Sequence, residues 1–340
     1  MPKTNLLGNK TPLSQPLDLL IVGGGPIGIS CAIAAQEAGL NYVVLEKGCL
    51  TNSLYHYPLD MQFFSSSEKL ELNQIPFNST EAKPRRKEAL EYYRRIVSHF
   101  ELNIQLFEEV CEVKRIPKDT SKTVFEIKSK KGSYLAKNLV IATGFFDIPA
   151  LLNVPGESLE KVSHYFKEAH YYSGQKLAVI GASNSAVDAA LACYRKGADV
   201  TLIVRGSEIG PRVKYWVRPD ILNRIEEGSI RVYYNATITN ISTSEISFSV
   251  DGKLKTIEND FVLALTGYRP NLKFLEHLGI ELEGEAKLPV YKSESMETNV
   301  AGIYLAGVIC GGLETHKWFI ENSRQHADKI VRDILNKEKI

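Results

Sequence analysis

Apolar residues fall along the chain in short unbroken runs, and the runs recur in a fixed context. Residues 17–22, LDLLIV, have strand length and almost no alternation, the pattern of a parallel strand covered on both faces. GGGPIG follows at 23–28, and residues 29–39 continue as a helix of small residues that Gly39 can close. Residues 41–46 are the next strand and end in an acid, Glu46. The arrangement is then repeated: 176–180 predicts a strand, 181–186 a turn, the run to Arg195 a helix and 199–204 a strand. Three further apolar strands end in turn residues. They are 139–149 with Ala142-Thr143-Gly144, 261–270 with Thr266-Gly267, and 299–312 with Ala306-Gly307-Val308. A helix-like stretch follows the last of them over 313–335, and 87–100 predicts another helix. Strand alternating with helix is the signature of an α/β fold with parallel sheets.

The glycine turns carry the first chemistry. In a strand–turn–helix, Gly23 makes the tight turn and Gly25 lets backbone N–H groups approach a pyrophosphate. Gly28 lets helix and strand pack closely, and the helix N-terminus adds partial positive charge. Glu46, 23 positions after Gly23, stands where a carboxylate accepts ribose hydroxyls. In the second turn Ser183 replaces the middle glycine and Ala186 the last, and Arg205 stands 24 positions after Gly181. A carboxylate at that edge repels a 2′-phosphate, whereas a guanidinium grips it through charge-assisted hydrogen bonds. Arg212 and Lys214 extend the basic edge. The first turn therefore predicts an FAD site and the second an NADPH site; the alternative for Arg205 is a surface residue that merely ends a strand. A nicotinamide bound beside a second dinucleotide implies electron transfer between them.

Composition narrows the rest. A length of 340 suggests two domains, and 41 Lys+Arg against 40 Asp+Glu point to neither nucleic acid nor an anionic membrane as partner. The basic run KPRRK at 83–87 reads as a solvated helix face. Residues 1–16 read as a loose tail without the apolar core of a signal peptide. Residues 17–40 are apolar, but three glycines and Pro26 interrupt them, so a membrane span is not expected. The five cysteines (31, 49, 111, 193, 310) form no CxxC and no metal spacing. They predict a reducing cytoplasm, no structural disulfides and no metal.

Taken together, the two turns and three return strands resemble the thioredoxin-reductase-like flavoproteins over nearly everything after residue 16. The resemblance implies two dinucleotide-binding, Rossmann-like domains, with the NADPH domain (151–287) inserted in a discontinuous FAD domain (17–150 and 288–340). Within that group, residues 46–72, 87–96, 162–176, 213–225 and 319–322 resemble the bacillithiol-disulfide-reductase-like (YpdA-type) family. That resemblance implies an FAD enzyme that oxidises NADPH and reduces a low-molecular-weight thiol disulfide, working as a homo-oligomer. For FAD it implies contacts from Gly23, Gly25, Pro26, Ile27 and Gly28, from Glu46, Lys47 and Asn52, and from Val110. Ala142, Thr143 and Gly144 belong to the same set, with Gly307 and Val308. For NADPH it implies Gly181, Ser183, Asn184, Ser185 and Ala186, then Arg205, Arg212 and Lys214, and Gly267.

Two departures shape the catalytic reading. The stretch 163–176, where a thioredoxin reductase carries CxxC, holds no cysteine, which excludes its dithiol relay. Ile27 stands where disulfide-reductase members carry cysteine in GGGPCG, and Val308 stands where the wider group has an aspartate. Cys49 and Cys310, in loops near the expected flavin, and His316 are the remaining catalytic candidates. Cys31, Cys111 and Cys193 read as packing, and His164 and His170 as satisfied or exposed. Alternatives are a ferredoxin or flavodoxin–NADP⁺ reductase, a flavin monooxygenase-like enzyme, and a flavin-bearing redox sensor.

Overall fold

The first apolar run becomes the middle of a seven-stranded sheet. In the computed structural model, which describes residues 15–117 and 123–339, Leu17–Val22 pairs in parallel with Tyr42–Leu45 on one side and Ser133–Ile141 on the other. Ile104–Gln105 extends the first side. Ser133–Ile141 forks: its start pairs antiparallel with Thr123–Ser129, and its end pairs parallel with Ile303–Leu305. Leu19, Leu20 and Ile21 are fully buried, as an unalternating strand requires when both faces are covered. The helix Pro26–Glu37 buries Ile27, Ile29, Cys31, Ala32, Ile33 and Ala35. Of the expected tail, all but residues 15 and 16 lie outside the described residues.

A second sheet repeats the plan. Arg231–Tyr233, Asp199–Ile203, Lys176–Ile180, Phe261–Ala264 and Val162–Ser163 lie side by side, all parallel. Period-two alternation sorts its side chains. Leu177, Val179, Val200 and Leu202 pack with the helix Asn184–Arg195. Ala178, Ile180, Ile203 and Val262 pack with Ile238, Ile246 and Phe248 of an antiparallel three-stranded meander, Ala236–Glu258.

Among the described residues the chain divides into two compact units. One comprises everything up to His56, Met61–Ile148 and everything from Tyr268; the other is Pro149–Gly267 with Tyr57–Asp60. The return thus comes at 267/268, about twenty residues before the 287/288 boundary expected from sequence. Hydrogen bonding accounts for the difference. Asn299 accepts from the Glu281 N–H and donates to the Gly279 carbonyl, and Leu282–Glu283 pairs with Leu288–Pro289. The segment is therefore bound to the residues that follow it.

Three local expectations are corrected. The helix expected over 313–335 is broken into a single turn, Ile320–Ser323, and a helix, His326–Glu338. Gly312 has a left-handed φ of 53° where a Cβ would run into the Lys287 carbonyl, and Asn322 then caps a new turn by accepting from the Phe319 N–H. The basic run is not wholly solvated, because Arg86 is buried and donates to the carbonyls of Leu54 and Tyr55, clasping the short helix Asn52–Tyr55. Cys111 is exposed on its strand rather than packed.

Candidate functional site: two glycine turns

Both glycine turns are held past the end of a neighbouring strand in the same way. Gly23 N–H donates to the Leu45 carbonyl (2.9 Å) and Ala142 N–H to the Val22 carbonyl (2.9 Å). In the second unit, Gly181 N–H donates to Ile203 (3.0 Å) and Leu265 N–H to Ile180 (2.9 Å). Gly23 (φ 111°) and Gly181 (φ 131°) each lie where a Cβ would stand 2.5 Å from the carbonyl oxygen of the neighbouring strand, Ala142 and Leu265 respectively. Only glycine fits either place. The two turns differ at their third position. A Cβ on Gly28 would meet the Gly23 oxygen at 1.9 Å, whereas Ala186 has room for its methyl in the second turn. The first helix is therefore seated more tightly on its turn.

Ahead of each helix the first N–H groups have no side-chain cap: Gly25 precedes one helix and Ser183 the other. A Cβ on Gly25 would meet nothing within 4 Å. Four N–H groups at a helix start need partners, and open space before uncapped donors suits a phosphate. Ser183 and Ser185 are exposed, and Pro26 occupies the first helical position, where a missing N–H costs nothing.

The edges of the two turns have opposite chemistry. Glu46 is 6% exposed, and its oxygens accept from Gly24 N–H (2.7 Å) and Gly48 N–H (2.9 Å). Burial raises its pKa against the pull of those N–H groups. A carboxylate has about four acceptor positions, so two backbone donors fix it and leave lone pairs for hydroxyls. Matching the strand-end hydrogen bonds sets Leu45 against Ile203, so the counterpart of Glu46 is Val204, and Arg205 comes one residue later. The second turn thus lacks the acid altogether. Arg205 and Arg212 are exposed, and their guanidinium groups have no partner among the described residues. Lys214 is placed differently: it is 7% exposed and its Nζ lies 2.8 Å from Asp188 on the helix. Asn184 joins the same staple, accepting from the Lys214 N–H and donating to the Arg212 carbonyl.

Around the first turn, the Thr143 hydroxyl is buried without a hydrogen-bond partner. Such a group is costly unless something bonds it. The uncapped helix start, the buried Glu46 and the Thr143 hydroxyl together fit a bound dinucleotide. Gly144 has a left-handed φ of 68° and Gly267 of 102°, turning the chain just past the strand ends. Lys47 is exposed and pairs with Asp147 (2.8 Å); Val110 and Val308 are half-buried. Asn52 accepts from the Cys49 thiol (3.5 Å).

Burial disfavours the thiolate at four of the five cysteines. Burial pushes Cys31 and Cys193 up to about 12, and pushes buried Cys310 higher. Cys49 is half-buried and raised too, by burial and then by Glu46. Thiolate is the reactive form, so alkylation of the native protein at neutral pH is expected at Cys111 first and Cys49 next. Cys31, Cys193 and Cys310 should label only after unfolding, which peptide mapping of modified protein checks. His316 is exposed, and His164 bridges Glu157 (3.4 Å) and the Ala264 carbonyl (3.3 Å).

Sequence reasoning missed His326, which is fully buried with Nδ1 accepting from the Gly307 N–H (3.2 Å). Its signal was available: 326, 327, 330, 331 and 334 form the buried stripe of the last helix, and a histidine opens it.

Comparison with known proteins agrees with this plan. A family model described as pyridine nucleotide-disulphide oxidoreductase matches residues 20–307. Bacilliredoxin reductase Bdr of Bacillus subtilis is 42% identical over 94% of this chain and 98% of that protein. The solved bacillithiol disulfide reductase Bdr (YpdA) from Staphylococcus aureus is 40% identical, covers 95% of this chain and 99% of its own, and superposes with a TM-score of 0.91. The Bacillus cereus protein of the same description is 42% identical over 95% of this chain and 100% of its own, with a TM-score of 0.90.

Proposed function

The chain belongs to the pyridine nucleotide-disulphide oxidoreductase family, and on that footing we propose that it oxidises NADPH and reduces the disulfide of a low-molecular-weight thiol without a protein CxxC. It is an oxidoreductase that works with FAD and a nicotinamide dinucleotide. The overall change is NADPH + H⁺ + RSSR → NADP⁺ + 2 RSH, with the nicotinamide hydride supplying both electrons. The names of the solved relatives from Staphylococcus aureus and Bacillus cereus support bacillithiol disulfide as the acceptor.

The observation that carries the nucleotide assignment is the paired glycine turn with opposite edges. FAD is assigned to the unit of Gly23–Gly28, and NADPH to Pro149–Gly267. In the first, Gly25 and the uncapped helix start face the pyrophosphate, Glu46 receives ribose hydroxyls, and the Thr143 hydroxyl gains a partner. In the second, Ser183 and Ser185 edge the pyrophosphate while Arg205 and Arg212 take the 2′-phosphate. When bound, the flavin supplies the redox chemistry that joins a hydride donor to a disulfide. The protein's own part is to hold both dinucleotides and keep water from the transfer.

Anaerobic reduction by NADPH, followed by a panel of oxidants, tests the acceptor. Bacillithiol disulfide is expected to restore the oxidised flavin spectrum fastest, ahead of glutathione and coenzyme A disulfides. Cys49→Ser and Cys310→Ser should leave that rate unchanged, since neither thiol is held as a thiolate. One observation favours a second reading: Ile27 removes the thiol that disulfide-reductase relatives would place in the first turn, and a ferredoxin or flavodoxin–NADP⁺ reductase needs none. Reoxidation by ferredoxin or flavodoxin but not by any disulfide would establish that reading instead.

A further inference from the structure

Three elements from distant parts of the sequence converge on Gly307. The Ile27 side chain, near the start of the first-turn helix, lies 3.4–3.6 Å from where a Gly307 Cβ would be. The Ser30 hydroxyl of the same helix donates to the Arg324 carbonyl at 3.2 Å, just before the last helix begins. From that helix, His326 Nδ1 accepts the Gly307 N–H at 3.2 Å, and Cys310 Sγ lies 4.0 Å from the same nitrogen. Trp318 meets the imidazole edge to face, with centroids 4.6 Å apart. Gly307 itself has a left-handed φ of 85° and opens the tight turn Val308–Gly311.

The hydrogen bond dictates the state of the ring. An amide N–H can only donate, so Nδ1 carries no proton and Nε2 carries it. Burial, with Lys329 second, pulls the pKa of His326 down to about 4, which keeps the imidazole neutral at ordinary pH. Nε2 is buried without a hydrogen-bond partner, so the ring is retained for what Nδ1 does. A leucine would fill the same space without the orphan Nε2, but it would take away the acceptor of the Gly307 N–H.

We propose that His326 is a positioning residue for the flavin site: by accepting the Gly307 N–H it locks the Gly307–Gly312 turn against the first-turn helix, and so sets how firmly flavin is held and at what potential. The inference rests on the reading that the first glycine turn and Gly307–Val308 border FAD. The mechanism is geometric. A buried N–H deprived of its acceptor must find another, and a turn starting at a left-handed glycine has little resistance to rotating. Ile27 limits that rotation on the side of the first-turn helix.

Asparagine places an acceptor near the position of Nδ1, glutamine near that of Nε2, and leucine offers none. Flavin affinity and midpoint potential of the purified holoenzyme should be measured for His326→Asn, His326→Gln and His326→Leu. His326→Leu and His326→Gln are expected to bind FAD roughly ten- to a hundredfold more weakly and with a displaced potential. His326→Asn should stay within about threefold of the unmodified protein, since its acceptor is restored. Should His326→Leu fail to fold, the Asn and Gln pair decides alone. An unmodified protein that binds FAD, with Asn and Gln variants indistinguishable from each other, overturns the positioning role and leaves the cofactor reading intact. An unmodified protein that takes up no FAD overturns both.

Discussion

Gly28→Ala is expected to give a folded but colourless, less stable protein, while Gly25→Ala gives an equally colourless protein of unchanged apo stability. The contrast follows from what each new methyl meets. At Gly28 it would stand 1.9 Å from the Gly23 carbonyl oxygen, a backbone atom that cannot swing aside. The helix must lift from its turn, an overpacking strain of about 1–3 kcal/mol. For a unit of this size that lowers Tm by about 3–10 °C. The misaligned N–H groups also lose charge-assisted bonds of about 1.5–3 kcal/mol each, so flavin affinity falls by about a hundredfold or more. At Gly25 the methyl meets no protein atom within 4 Å, so it can only obstruct what binds there. Thermal melts of apoprotein and flavin titrations of both variants separate the two effects. A Gly25→Ala protein that binds FAD normally would remove the pyrophosphate from that space.

Arg205→Asp is expected to raise the KM for NADPH by about ten- to a hundredfold while leaving that for NADH nearly unchanged. The full loss of two charge-assisted bonds is larger, but an exposed guanidinium is partly screened by water. Arg212→Ala should act in the same direction and less strongly, and the preference for NADPH should weaken as salt rises. Lys214→Ala provides the contrast: it leaves Asp188 without its ion pair, so it should lower stability and leave nucleotide preference intact. Steady-state kinetics with both nucleotides decide the matter. Equal losses for NADPH and NADH in Arg205→Asp would remove the 2′-phosphate from this edge.

How far the chain's organisation was legible depended on whether the signal was local. The buried strands, the two glycine turns and their helices are written in contiguous runs, and the structure places Leu17–Val22, Pro26–Glu37, Lys176–Ile180 and Asn184–Arg195 where those runs predict them. The interruption of the last helical stretch was harder. A carbonyl of Lys287 stands against the Gly312 position just before it, a contact across some twenty-five residues that no periodicity reveals. Arg86 misled for the same reason: a basic run normally faces water, but here one member finds backbone carbonyls of a helix more than thirty residues earlier. The edge of the second turn shows the limit most clearly. Counting along the chain set Glu46 opposite Arg205, yet the strand-end hydrogen bonds set it opposite Val204. What the structure leaves of that expectation is the order of residues: no acid stands opposite Glu46, and an arginine follows.

By itself, the order of residues determined the α/β class, the doubled dinucleotide plan, the missing CxxC and the sign of charge at each turn. Those properties depend on neighbours in the chain, on backbone freedom at glycine and on side-chain chemistry. Only the tertiary structure decided which groups are held and which are available. It buried Glu46 on two backbone donors, tied Lys214 to Asp188 while leaving the Arg205 side chain without a partner among the described residues, and enclosed Cys31, Cys193 and Cys310. It also brought His326 onto Gly307. Hydrogen bonding and desolvation act between atoms close in space, and the folded chain alone sets those distances.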